Sequence, residues 1–322
     1  MKAVCLGRVR SHCLARHFQD GEDSVSSNEV GRIIFGLPGN EEFASKVANQ
    51  GGWEYGELET RRFPDGESYV RLQSDVSHKE VILVCTLSRP DSQFLTLIFT
   101  ADAARELGAA SVTLVAPYLS YMRQDRRFNA GEAVTSKTFA AQISSAFNRL
   151  ITVDPHLHRY PNLSAIYSCE TIVLHAAPLI GDWLAAEVPH PLVIGPDEES
   201  VQWVAAVAAK ARAPHVVLRK TRFGDRRVEL IVPDLSQWQD RKPVLVDDIA
   251  SSGRTLIEAS KAIQAQGLAR PICAVVHPLF AEESFAELKS AMDNVASTDA
   301  VPHISNRISL VPLVAGALQC HR

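Results

Sequence analysis

The chain has 322 residues, 46% of them hydrophobic and 22% charged, which is enough for two ordinary soluble domains. A net charge of -4 gives no electrostatic reason for a nucleic-acid partner, and no apolar run is long enough to span a bilayer. The six cysteines (Cys5, Cys13, Cys85, Cys169, Cys273, Cys320) are scattered without a C-x-x-C pair, which argues against a disulfide framework or a structural zinc site and for a reducing cytoplasm.

Residues 1–30 show no periodicity. Lys2, Arg8, Arg10 and Arg16 precede the first acid, Asp20. The stretch lacks the apolar core or amphipathic face of a targeting peptide, so a poorly ordered extension is expected. Arg32–Leu37 reads as a strand, Glu41–Asn49 as a helix and Trp53–Leu58 as a second strand. RRFPDGESYVRL, Arg61–Leu72, has a turn at Pro64-Asp65-Gly66 followed by a strand, the pattern of a hairpin. Glu80–Leu87 is a strand, Gln93–Leu107 a helix closed by Gly108, and Ser111–Tyr118 a further strand.

LSYMRQDRRFNAGEAVTSK, Leu119–Lys137, comes after that strand and is dense in cations, with a helix starting near Ser136 behind a capping Thr135. Such a cluster is a solvated face or, at the mouth of a parallel sheet, a polyphosphate site. The strand Leu150–Val153 runs into Asp154-Pro155-His156-Leu157-His158, a sequence that suits either a metal or loop hydrogen bonds. One lobe is expected to hand over to the next near Asn162–Ser168, and Ile172–Val188 reads as helix around Pro178.

In the second half, the strand Leu192–Ile194 leads to Gly195-Pro196-Asp197, where the acid could cap a helix over Glu199–Ala211. Val216–Leu218, RKTRFGDRR and Val228–Val232 make a basic hairpin with a Gly-Asp turn. VLVDDIASSGRTL, Val244–Leu256, is the most informative stretch. A buried-type strand ends in Asp247 and Asp248, followed by Ser251, Ser252, Gly253, Arg254 and Thr255, then a helix from Leu256. Small residues at a helix start let backbone N–H groups approach a phosphate, and the acids beside them accept from sugar hydroxyls or a metal. The ligand suggested is a sugar phosphate, although the acid pair alone also suits a polar turn. Pro243–Ile249, Leu256–Gln266, Gly267 and Pro271–His277 repeat the earlier strand, helix, glycine, strand series. The chain therefore reads as two similar halves, with Cys85 and Thr86 standing where Asp247 and Asp248 stand later.

The 247–255 loop resembles that of the type I phosphoribosyltransferase fold, which hosts phosphoribosyltransferases and ribose-phosphate pyrophosphokinases (PRPP synthetases, PRPP being phosphoribosyl pyrophosphate). The further motifs, in order, resemble the PRPP synthetases over Arg32–Leu318, nearer the compact archaeal type. That resemblance implies an α/β fold of two similar type I phosphoribosyltransferase-like domains, each a mainly parallel sheet flanked by helices. The expected division is 1–30 extension, 31–165 ATP-side domain, 166–322 ribose 5-phosphate domain. It implies ATP binding by Phe63, Asp65, Glu67, Arg123, Gln124 and Asp125, with the adenine contacts made across a homo-oligomer, at least a dimer. It implies Mg²⁺ at His156 and Asp197, and catalysis by Lys220 and Arg222 on a flap. Ribose 5-phosphate falls to Asp247, Asp248, Ser251, Ser252, Gly253, Arg254 and Thr255. Arg254 departs from the glycine usual there. The implied activity is diphosphoryl transfer from ATP to ribose 5-phosphate. The alternatives are a phosphoribosyltransferase consuming PRPP, or a non-catalytic regulatory homologue. A Walker-type kinase is excluded by the lack of G-x-x-x-x-G-K-[ST].

Overall fold

Apolar runs that end at small or polar residues build the frame. The computed structural model describes residues 30–223 and 227–321, so the expected extension falls almost wholly outside the described residues. The first lobe runs β1 (Arg32–Gly36), α1 (Glu41–Gly51), β2 (Glu54–Tyr55), β3 (Leu58–Arg62), β4 (Ser68–Leu72), β5 (Glu80–Val84), α2 (Pro90–Glu106), β6 (Ser111–Ala116), α3 (Thr135–Ala146), β7 (Arg149–Val153), β8 (Glu170–Leu174) and α4 (Ala177–Glu187). The second runs β9 (Pro191–Gly195), α5 (Val201–Ala211), β10 (His215–Val217), β11 (Arg219–Phe223), β12 (Arg227–Ile231), β13 (Lys242–Ala250), α6 (Arg254–Ala265), β14 (Ile272–Pro278), α7 (Glu282–Ala291), β15 (Asn294–Thr298), β16 (Asn306–Ile308) and α8 (Val311–Cys320).

Two parallel six-stranded sheets result, ordered β2-β1-β5-β6-β7-β8 and β10-β9-β13-β14-β15-β16. Helices cover both faces, so central strands such as β5 and β14 are buried at every position and are apolar but for Glu80 and His277. This is the expected α/β class of two similar domains. Each lobe also carries an antiparallel hairpin outside its sheet, β3–β4 in the first and β11–β12 in the second.

Three local expectations need correction. Trp53–Leu58 is not one strand. Gly56 lies against the buried Phe35 ring, where a Cβ would sit 2.2 Å from a ring carbon, and the chain breaks there into β2 and β3. Gly56→Ala is therefore expected to cost about 2 kcal/mol through overpacking, measurable by denaturant unfolding. Ile172–Leu174 is strand rather than helix, because this β-branched run pairs with β7, and Pro178 starts α4 after it. Thr135 is the first residue of α3, not its cap, and its hydroxyl donates to Gln124 Oε1 at 3.1 Å.

The first sheet includes β8, beyond the 165/166 division expected from sequence. The lobes then exchange their last helices. Ile180 and Leu184 of α4 pack with Val193, Val204 and Val207 of the second lobe. Val314 and Leu318 of α8 pack with Ile34, Val47 and Ile82 of the first. Arg32 donates to the Leu318 carbonyl at 2.5 Å and, with Arg149, to the His321 carbonyl, placing cations at the negative end of α8. Among the described residues no helix is long and apolar enough to cross a membrane.

Candidate active site

The site forms where the carboxyl ends of both sheets meet. Asp247 and Asp248 end the apolar part of β13, both half-buried. Asp248 Oδ1 accepts from the Ile249 amide at 2.7 Å, and its Oδ2 accepts from His156 Nδ1, in the other lobe, at 3.1 Å. Burial pushes the Asp248 carboxyl up. The His156 hydrogen bond and charge, the nearby His277 and the Ile249 amide outweigh that, so it is held below its ordinary value. Asp247 goes the other way: burial first, then the charges of Asp248 and Asp197, raise it well above its ordinary value. The pair is thus polarised, its two acids shifted in opposite directions.

Beyond it lies the loop Ser251–Gly253. Gly253 has φ +67° and heads α6, and a Cβ there would press on Leu288 at 3.4 Å. The helix starts at Arg254, two residues before the expected Leu256. Arg254 and Ser252 are exposed, and Ser251 and Thr255 partly so. Arg254 therefore points its bulk toward solvent rather than into the β13–α6 packing.

From the first lobe, Tyr118 packs against His277 and lies within electrostatic reach of Asp248. Burial raises the Tyr118 phenol, with the adjacent Arg123 guanidinium opposing and Asp248 adding to the rise. Arg123, expected on ATP, and Asp248, expected on ribose, thus both act on the Tyr118 phenol. Gln124 spends its amide oxygen on Thr135. Asp125 is buried, and both its oxygens accept from Arg159 Nη1, at 2.8 and 3.0 Å, so it braces the loop. Asp197 makes no side-chain capping bond to the helical turn after it, which leaves the cap role unfilled, and its charge is felt at Asp247.

Phe63, Asp65 and Glu67 sit exposed on the β3–β4 turn. The Phe63 amide donates to the Glu67 carbonyl at 2.8 Å, and the Arg61 guanidinium packs over the Phe63 and Tyr69 rings at 4.5 and 4.2 Å. Lys220 and Arg222 lie on β11, opposite Leu230 and Val228. Their side chains, and the turn 224–226, are outside the described residues.

The strand registers test the duplication. Phe35 pairs with Leu83 as Ile194 pairs with Leu245, which sets Cys85 and Thr86 over Asp247 and Asp248. In the first lobe that position is closed. The Thr86 amide donates to Asn40 Oδ1 at 2.8 Å and its hydroxyl to the Ala300 carbonyl at 2.5 Å. The same stepping sets Tyr118 over His277 and Asp154 over Asp299. Neither Tyr118 nor His277 was singled out from the sequence. Superposing the two halves of the repeat would have paired them.

Comparison with known proteins assigns the family. The N-terminal domain of ribose phosphate pyrophosphokinase matches residues 32–146, and a phosphoribosyl transferase domain matches 163–304. The ribose-phosphate pyrophosphokinase of Methanopyrus kandleri is 34% identical over 278 residues, 85% of this chain and 94% of that one. The chain belongs to the ribose-phosphate pyrophosphokinase family. The Methanosarcina acetivorans member is 31% identical over 288 residues, 89% of this chain and 99% of that one. The fold agrees with phosphoribosylpyrophosphate synthetase from Mycobacterium smegmatis, at TM-score 0.78 and 21% identity, covering 90% of this chain and 98% of that one. As a family member the chain is a transferase of PRPP synthesis, a ribose-phosphate diphosphokinase.

Proposed function

We propose that the two lobes divide the reaction between them. Ribose 5-phosphate sits with its phosphate on the backbone of Ser251–Thr255 and its 2- and 3-hydroxyls on Asp247 and Asp248. ATP lies toward Arg123 and Gln124. The anomeric oxygen bonds to the β-phosphorus, the bond from that phosphorus to the α,β-bridging oxygen breaks, AMP leaves and the hydroxyl proton passes to solvent. Lys220 and Arg222 supply positive charge to the transferring group. The observation that carries this reading is the Asp248–His156 contact, which ties the ribose acid of one lobe to the nucleotide-side loop of the other.

The donor set fits Mg²⁺ brought in on ATP. Among the described residues no group of three or more His, Cys, Asp or Glu side chains could hold a metal alone. One imidazole and one carboxylate, His156 and Asp197, suit an ion that keeps water and phosphate oxygens as its other ligands. When bound it neutralises charge on the polyphosphate.

A homo-oligomer, at least a dimer, is supported by exposed apolar side chains on the hairpin side of the first lobe. Phe63, Leu95 and Phe99 are all substantially exposed there, and β4 packs on α2. The described cysteines Cys85, Cys169, Cys273 and Cys320 are all unpaired, which supports a reducing, cytoplasmic setting.

The test is an NMR or mass assay for PRPP and AMP formed from ATP, Mg²⁺ and ribose 5-phosphate. Unchanged substrates after long incubation would point to a regulatory homologue, and pyrophosphate release from PRPP with a nucleobase to a phosphoribosyltransferase. Lys220→Ala is expected to lower kcat by about 10³ while leaving ribose 5-phosphate binding intact. An unchanged kcat would remove the flap from the mechanism.

A further inference from the structure

His277 is the penultimate residue of β14 in the second lobe and is buried at 1% exposure. It lies 5.0 Å, centroid to centroid, from Tyr118, its counterpart in the first lobe. Its Nε2 is 3.2 Å from the Asp154 carbonyl oxygen, so Nε2 carries the proton and donates across the lobe junction. Its Nδ1 is buried without a hydrogen-bond partner, and the neighbouring Val153 backbone also faces the ring, so its polar contacts all lie on the Val153–Asp154 backbone of the other lobe.

The residue it holds is unusual. Asp154 has φ +36°, a left-handed conformation that side chains with a Cβ rarely adopt. It is gripped on all sides. Its amide donates to the Leu174 carbonyl, and its carboxylate accepts from the Ala176 amide at 2.8 Å and from His175 Nδ1 at 2.9 Å. The molecule contains its own control. Asp299, the counterpart, binds the start of α8 in the same way, accepting from the Leu310 amide at 2.6 Å and the Ser309 hydroxyl at 2.8 Å, and donating its amide to Ile308. Yet Asp299 is not left-handed. Holding the helix start does not require the strain. The two lobes differ two positions further along the chain. The second lobe has Val301 there, whereas the first has His156, aimed at Asp248.

We propose that His277 is a positioning residue for the reaction: through the Asp154 carbonyl it holds the left-handed turn that directs His156 to Asp248. A second-lobe strand thereby sets a first-lobe histidine, which makes the catalytic arrangement depend on the lobes being correctly docked. The inference rests on the reading of His156 as a metal-side residue.

The test compares His277→Gln, whose amide N–H reaches the Nε2 position, with His277→Asn, whose amide falls short of it. Hydrogen exchange over residues 154–158 is measured without ligand. Mn²⁺ binding with a non-hydrolysable ATP analogue is measured by electron paramagnetic resonance, alongside kcat and KM. His277→Asn is expected to speed exchange, weaken Mn²⁺ binding and lower kcat, each about fivefold, the loss of one hydrogen bond, with KM for ribose 5-phosphate unchanged. His277→Gln is expected to restore all three. Two variants that behave alike, whether both intact or both impaired, would overturn the proposal and leave His277 as packing. Unchanged Mn²⁺ binding in His156→Ala would sink the metal reading alone, because the exchange arm reads the loop in the unliganded protein.

Discussion

Asp248→Asn is expected to lower kcat/KM for ribose 5-phosphate by about 10²–10⁴ while the protein stays folded. Hydrogen bonds to an ionised acceptor contribute about 1.5–3 kcal/mol each, and every 1.4 kcal/mol is about tenfold. On the proposed placement of ribose, Asp248 has two such bonds to lose, one to a sugar hydroxyl and one to His156 Nδ1 at 3.1 Å. The fold should survive, because the side chain is only half-buried and asparagine keeps its shape and the oxygen facing the Ile249 amide. Asp247→Asn is the informative contrast. Burial and the neighbouring acids Asp248 and Asp197 already push Asp247 toward its protonated form. A neutral amide resembles that form, so the loss should be about tenfold or less. Steady-state kinetics of both variants check the division. Equal losses would mean that both acids work as anions, contrary to the polarised pair.

Much of the frame was legible because buried parallel strands write themselves as apolar runs, and their polar endings mark the sheet mouth. That is why Asp247, Asp248, His156 and Asp197 could be placed at strand ends from the sequence. The duplication was legible for the same reason, and the registers of β5 and β13 agree with it. What stayed hidden depends on contacts between segments far apart in the chain. Nothing local tells an apolar helix such as α8 to leave its own lobe and pack under β1. Tyr118 and His277 each look like an ordinary residue past a strand, and only the packing of one lobe on the other makes them a pair. Arg254 carried no local sign that its side chain would lie outward.

The exchanged helix makes the junction expensive to disturb, and Glu80→Ala should show it. Glu80 is buried at the start of β5. It accepts from Arg32 Nε at 2.6 Å, from Arg149 Nη1 at 3.2 Å and from the Thr113 hydroxyl at 3.1 Å. The same two arginines bind the last carbonyls of α8. Removing one member of a buried ion cluster leaves the others charged and poorly solvated, a loss of about 3–5 kcal/mol. The arginines keep their carbonyl partners, so a value near the lower end, about 3 kcal/mol, is expected by denaturant unfolding. The end of α8 should also become open to carboxypeptidase before the rest of the chain unfolds. A loss under about 1 kcal/mol would mean that water screens the cluster as it screens a surface pair. Because α8 completes the first lobe while hanging from the second, loosening it should lower kcat as well. Glu80→Gln, which keeps the Thr113 bond and the side-chain volume, should fall between the two proteins in both stability and rate.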